Sequence, residues 1–102
     1  MIELWNADLS KDAKKQYIKL NRNGDRRKPS IIDLIDALVM DLKHHGPVMK
    51  DWPNYSVINK SRSSFYHCHL RKGKPTYVAC WKVTNDNKIE VFYVGTHEGA
   101  PY

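Results

Sequence analysis

The chain has 102 residues, 41% of them hydrophobic and 27% charged, a composition that supports one domain (1–102) built on one core. It lacks the long apolar run that a membrane-spanning helix needs, and its two cysteines, Cys68 and Cys80, are too few for a disulfide scaffold. Seventeen Lys and Arg against eleven Asp and Glu leave a net charge of +6, which suits acidic or phosphate-rich partners.

The opening MIELWNADLS has no basic-then-apolar profile of a signal peptide, so a cytoplasmic location is expected. Met1 to Trp5 reads as a short strand. Ser10 is placed to cap a first helix, with Asp12 in the first turn where the helix dipole favours an anion. Ala13, Tyr17 and Leu20 fall at helical spacing and leave Lys11, Lys14, Lys15, Lys19 and Arg22 on the other face. Asn23-Gly24 is a natural stop. A second helix, Ser30 to His45, is the clearest element. Ser30 with Asp33 resembles a capping box, Ile31, Leu34, Ile35, Leu38, Val39 and Leu42 form one apolar stripe, and Gly46-Pro47 ends it. His44 and His45 sit in the last turn, where positive charge suits the dipole.

From Tyr55 onward the pattern is β. Tyr55 to Ile58, Phe65 to Arg71, Tyr77 to Thr84 and Ile89 to Val94 are short β-branched and aromatic runs with turn-like KSRS, KGKP and NDN between them. The expected fold is α+β: an N-terminal strand, two helices, then a four-stranded antiparallel meander with the helices on one face.

No carboxylate occurs from Trp52 to Asn85, a stretch that carries Lys60, Arg62, Arg71, Lys72, Lys74 and Lys82 together with His67 and His69. A surface built from it is positive without local neutralisation, as phosphate binding requires. A solvated basic hairpin is the plainer alternative. Strand geometry argues against a zinc site in Phe65-Tyr-His-Cys-His-Leu-Arg71, because His67 and His69 share one face with Phe65 and Arg71 while Cys68 shares the other with Tyr66 and Leu70. No metal is expected. Cys68 and Cys80 can meet across the hairpin and read as small core hydrophobes. His67 and His69, flanked by Arg71, Lys72 and Lys74, are suited to proton transfer at neutral pH, since cationic neighbours favour the neutral imidazole. That they merely line the sheet is the competing reading. His97 in Val94-Gly-Thr-His97 and the aromatic Tyr102 follow the last strand.

Cys-His-Leu (68–70), a hairpin, Val-Ala-Cys-Trp-Lys-Val (78–83), Val-Gly-Thr-His (94–97) and the aromatic Tyr102 together resemble RelE/ParE-superfamily toxins, nearest the YafQ-like branch. The likeness is closest over residues 65–102; elsewhere it rests on the order of elements. It implies a RelE-like fold and the toxin of a type II toxin–antitoxin pair. Such toxins are ribosome-dependent endoribonucleases that cut mRNA without a metal or other cofactor. The 2′-hydroxyl attacks the adjacent phosphodiester, leaving a cyclic phosphate and a 5′-hydroxyl. Its implied partners are a cognate antitoxin, the ribosome and mRNA.

By the motif match, His69 and His97 correspond to the histidines of the central and last strands. Tyr77 corresponds to the strand aromatic and Tyr102 to the terminal aromatic that packs on a base. The acidic residue usual before the strand aromatic is replaced by Thr76. A further histidine of the branch has no counterpart near Tyr55 to Asn59, and His67, on the face of His69, is the candidate substitute. Related toxins use Lys, Arg and Tyr, so Arg71, Lys72 and Lys74 are candidates for part of the chemistry, with Lys60 and Arg62 as further RNA contacts. Cleavage at the 2′-hydroxyl needs a base, an acid and cations, which two histidines among lysines and arginines supply. The rival readings are a ParE-like gyrase inhibitor without nuclease activity, a non-catalytic RNA-binding protein of the same fold, and an inactive remnant of the enzyme.

Overall fold

The computed structural model describes residues 4–23, 26–60, 63–85 and 87–102, with the backbone alone at 60 and 63. Its elements are β1 (Asn6–Leu9), α1 (Lys11–Asn23), α2 (Ile31–His45), β2 (Ser56–Lys60), β3 (Ser63–Arg71), β4 (Tyr77–Asn85) and β5 (Lys88–Thr96). The fold is α+β, with two helices and one five-stranded sheet in the order β1-β5-β4-β3-β2. β1 runs parallel to β5 while the other neighbours pair antiparallel, so the sheet is mixed.

The first strand lies later than its apolar residues predict. Leu4 and Trp5 belong to no strand, residues 1–3 lie outside the described residues, and pairing begins at Asn6. Trp5 N–H donates to the Lys43 carbonyl at 2.8 Å, which spends it on the end of α2 instead of on the sheet. Ala7 then points into the core while Asn6 and Asp8 face out, the alternation of a half-buried strand.

Both helices start as their caps dictate. Ser10 Oγ accepts from Ala13 N–H at 3.0 Å, and Ser30 Oγ accepts from Asp33 N–H at 3.1 Å. α1 buries Ala13 fully, with Tyr17 and Leu20 half-buried, and Tyr17 Oη donates to Asp36 Oδ1 at 2.9 Å to tie the helices together. Gly24, the expected stop of α1, lies outside the described residues. α2 buries Ile31, Ile35, Leu38 and Leu42, while Leu34 and Val39 of the predicted stripe are half-buried. It ends at Gly46, whose φ of +83° is left-handed and whose N–H donates to Leu42 O. A Cβ there would sit 2.8 Å from the Trp5 indole nitrogen, so glycine is required twice over.

Cys68, Leu70, Ala79, Trp81 and Val91 form one cluster with the α2 stripe. Trp81 is fully buried, stacks on Tyr66 and Tyr55 at 6.1 and 6.3 Å, and donates its indole N–H to Pro47 O at 3.0 Å. His67 pairs across the β3–β4 ladder with Cys80, and Cys68 with Ala79. The two cysteines therefore lie on opposite faces and do not meet as expected, because the register is offset by one residue from the one that would oppose them. Both are fully buried, as small hydrophobes are.

One irregularity shapes the functional end of the sheet. The register shifts between His69 and Arg71: His69 pairs with Val78, Arg71 with Tyr77, and Leu70 has no partner across the ladder. This bulge reverses the facing expected of Arg71.

Candidate functional site

The alternation of β3 sends His67 and His69 to the face that does not carry the α2 cluster, and the tail after β5 folds back onto that face. Gly99 N–H donates to Thr96 O and Ala100 N–H to His97 O, both at 3.2 Å, closing a tight turn. His97 N–H donates to Thr76 O at 2.8 Å, which pins the last histidine to the β3–β4 connection. His69 N–H donates to Pro53 O at 2.7 Å, anchoring the middle of β3 to the segment before β2.

Three imidazoles result in one group. The rings of His69 and His97 lie 5.6 Å apart, those of His67 and His69 6.0 Å. Tyr102 packs 4.7 Å from His67, 5.8 Å from His97 and 6.3 Å from Phe65. Beside them opens a cleft of about 630 Å³ lined by His69, Lys74, Thr76, Thr96, His97 and Glu98, with Gly73 and Pro75 at its rim. The turn that carries Lys74 is held by Thr76, whose hydroxyl donates to Gly73 O at 2.9 Å and lies 3.2 Å from the Gly73 N–H.

Each titratable group has a physical bias. His67 is 7% exposed, and burial lowers its pKa below the ordinary histidine value; His97 adds to the lowering and a hydrogen bond to Ser56 opposes it. Ser56 Oγ stands 3.0 Å from His67 Nδ1 and Ser56 O 3.4 Å from the same nitrogen, which orients the ring. His69 is lowered by burial first, then by the charges of His67, His97 and Lys72. Its Nδ1 is buried without a hydrogen-bond partner among the described residues, as is Tyr102 Oη. Burial pushes the Tyr102 phenol up to about 12 and the Cys80 thiol likewise to about 12. Both stay protonated near neutrality.

The sequence-predicted residues divide. His67, His69, His97, Tyr102 and Lys74 come together, and Lys72 is exposed near enough to act on His69. Arg71 does not: beyond the bulge its guanidinium donates to the Pro29 carbonyl, at the start of α2. Tyr77 is 6% exposed within the core cluster, and it lines not the histidine cleft but the smaller groove between α1 and β5. Lys60 pairs with Ser63 at the far turn of β2 and β3, about 20 Å along the strand from His69. Arg62 lies outside the described residues. The stretch without carboxylates is also not free of them in space, since Glu90 of β5 pairs with Lys82 at 3.8 Å and Glu98 lines the cleft. Glu98 and Ser56 carry no sequence signal: one is a polar residue in a tail, the other the first residue of a strand. Only the turn after His97 and the β2–β3 register bring them to the histidines.

The lowered histidines set a pH dependence. The folded chain holds His67 and His69 neutral more firmly than the unfolded chain does, so the unfolded state binds more protons just below the ordinary value of about 6.5. Their contribution to stability is complete above that pH and is lost as pH falls through the lowered values. Thermal unfolding followed from pH 8 to pH 5 should show a falling Tm below about pH 6.5, with a flatter profile in a His67→Gln, His69→Gln double variant. A Tm unchanged or higher at pH 5 would contradict the assigned direction.

Comparison with protein-family models, with curated proteins and with solved structures yields no match to this chain.

Proposed function

We propose that the protein is the toxin of a type II toxin–antitoxin pair, an mRNA endoribonuclease that acts by attack of the 2′-hydroxyl on the adjacent phosphodiester. The observation that carries this reading is the His69–His97 pair, 5.6 Å apart at the mouth of a cleft that also presents Lys74. Two imidazoles at that separation reach oxygens of one phosphodiester. His69, biased toward the neutral form, takes the 2′-hydroxyl proton as the P–O2′ bond forms. His97 gives a proton to the 5′-oxygen as the P–O5′ bond breaks, and Lys74 stabilises the charge that builds on the phosphoryl oxygens. The products are a 2′,3′-cyclic phosphate and a 5′-hydroxyl. The resemblance of residues 65–102 to the YafQ-like toxins supplies the substrate, mRNA positioned by the ribosome, and the partner, an antitoxin that neutralises the toxin.

A gyrase inhibitor or a passive RNA binder has no use for paired proton carriers, which favours the nuclease over both. The test is purified protein with programmed ribosomes and defined mRNA, with ends mapped chemically. Cuts within the mRNA that bear cyclic phosphate and 5′-hydroxyl ends are expected. Intact mRNA alongside inhibited gyrase supercoiling would replace the nuclease with the gyrase reading.

A further inference from the structure

A second groove adjoins the histidine cleft, and it has no part in the chemistry proposed above. It lies between the C-terminal half of α1 and the end of β5, encloses about 290 Å³, and is walled by Gln16, Lys19, Leu20, Asn23, Tyr93 and Thr96 among others. Thr96 lines both spaces, so the groove continues the cleft instead of standing apart from it. β1 pairs with Lys88–Val91 of β5, and among the described residues the edge of β5 beyond Val91 has no strand partner on that side. That edge is not open for strand addition. α1 lies along it, and Gln16 Oε1 accepts from Val94 N–H at 3.0 Å, taking a ladder donor that an added strand would need.

We infer that this groove is a second nucleotide subsite, which receives the residue neighbouring the scissile phosphate on one side as the RNA strand passes Thr96. The inference rests on the proposed RNA cleavage. The chemistry of the walls fits a nucleotide in three ways. Leu20 and the half-buried Tyr93 ring present apolar surface for the flat face of a base. Gln16 has spent its carbonyl oxygen on Val94, so its amide NH₂ is left to donate to a base edge, with the Asn23 amide about 10 Å further along the helix on the same wall. Lys19 stands at the wall and belongs to an exposed row, Lys11, Lys15, Lys19 and Arg22, whose helical spacing puts four cations on one side of α1. Asp12 is the one carboxylate of that helix, so the row attracts the phosphates of a strand leaving the groove.

The experiment measures binding of short oligoribonucleotides with 2′-O-methyl groups that block cleavage. The series is a dinucleotide spanning the cut, and that dinucleotide extended by one or two residues on the 5′ side alone or on the 3′ side alone. One extension should tighten binding about tenfold, as a stacked base does, and the other should change it little. Leu20→Trp, which fills the groove, should remove that gain and leave dinucleotide affinity as in the parent. Lys19→Ala, an exposed change that keeps the fold, should remove part of the gain. Equal gains on both sides, or a one-sided gain that survives in both variants, would overturn the subsite while leaving the histidine site standing. Failure of the parent to bind any member of the series would overturn the subsite as well, while RNA cleavage itself is decided by the ribosome assay, in which the ribosome positions the mRNA.

Discussion

His69→Ala and His97→Ala should each lower single-turnover cleavage of ribosome-positioned mRNA by about 10²- to 10⁴-fold, the usual worth of a positioned acid or base. Growth arrest on expression should disappear with them. Neither ring is part of the core cluster, so the melting temperature of each variant should stay close to that of the parent. The double variant should cut no slower than the worse single one by more than a small factor, because a base and an acid that act as a unit in one transition state do not contribute independently. Lys74→Ala should weaken binding with a reduced salt dependence, since a phosphate contact positions more than it reacts. Arg71→Ala belongs to another class: its guanidinium holds the Pro29 carbonyl, so its removal should lower stability and leave cleavage by the folded fraction unchanged. A folded His69→Ala, His97→Ala protein that cleaves at the parental rate would sink the nuclease site. Histidines that only line the sheet would give the reverse pattern, with stability lost and activity kept.

Trp81→Ala should cost about 3–5 kcal/mol, the largest effect expected of a single change in the core. Trp81 is fully buried at the centre of β4, between the α2 stripe and the stacked rings of Tyr66 and Tyr55. Truncation leaves a cavity that neither the helix nor the sheet can collapse into, and it orphans the Pro47 carbonyl that the indole N–H now satisfies. For a domain of this size such a loss is a large share of the total stability. Equilibrium urea unfolding measures it. Trp81→Phe keeps most of the ring and should lose far less; equal losses in the two variants would mean that the indole hydrogen bond, not the filled volume, dominates.

Much of this architecture is legible in the chain because it is local. Ser30 capping Asp33, the Ile31–Leu42 stripe and the Gly46 stop are decided within a few residues of each other, and the structure has all three. The four later strands follow from alternation and turn chemistry in the same way, with ends shifted by a residue or two. What is not legible depends on pairing across the sheet. Leu70 becomes a bulge only because β3 and β4 slip against each other, and that slip takes Arg71 away from the histidines and leaves Tyr77 in the core. The same holds for Cys80, which faces His67 and not Cys68. Glu98 enters the cleft through a turn of the tail, not through any pattern in its own segment. Of the histidine group, the strand period places His67 and His69 together from sequence, while the approach of His97 rests on its backbone bond to Thr76.

The parallel pairing of β1 with β5 has a consequence for biosynthesis. Ala7 meets Ile89 and Leu9 meets Val91, so the first strand waits for a partner about eighty positions away. Contacts of such sequence separation come late, because the intervening loop must be closed before they yield anything. The α2 cap can form while the ribosome is still adding residues, at about 5–20 per second, but β1 stays undocked until residues 88–91 have emerged from the exit tunnel. His97 is made later still. A nascent chain therefore carries an incomplete sheet and a histidine group lacking one member until these last elements have emerged, which delays the assembled site.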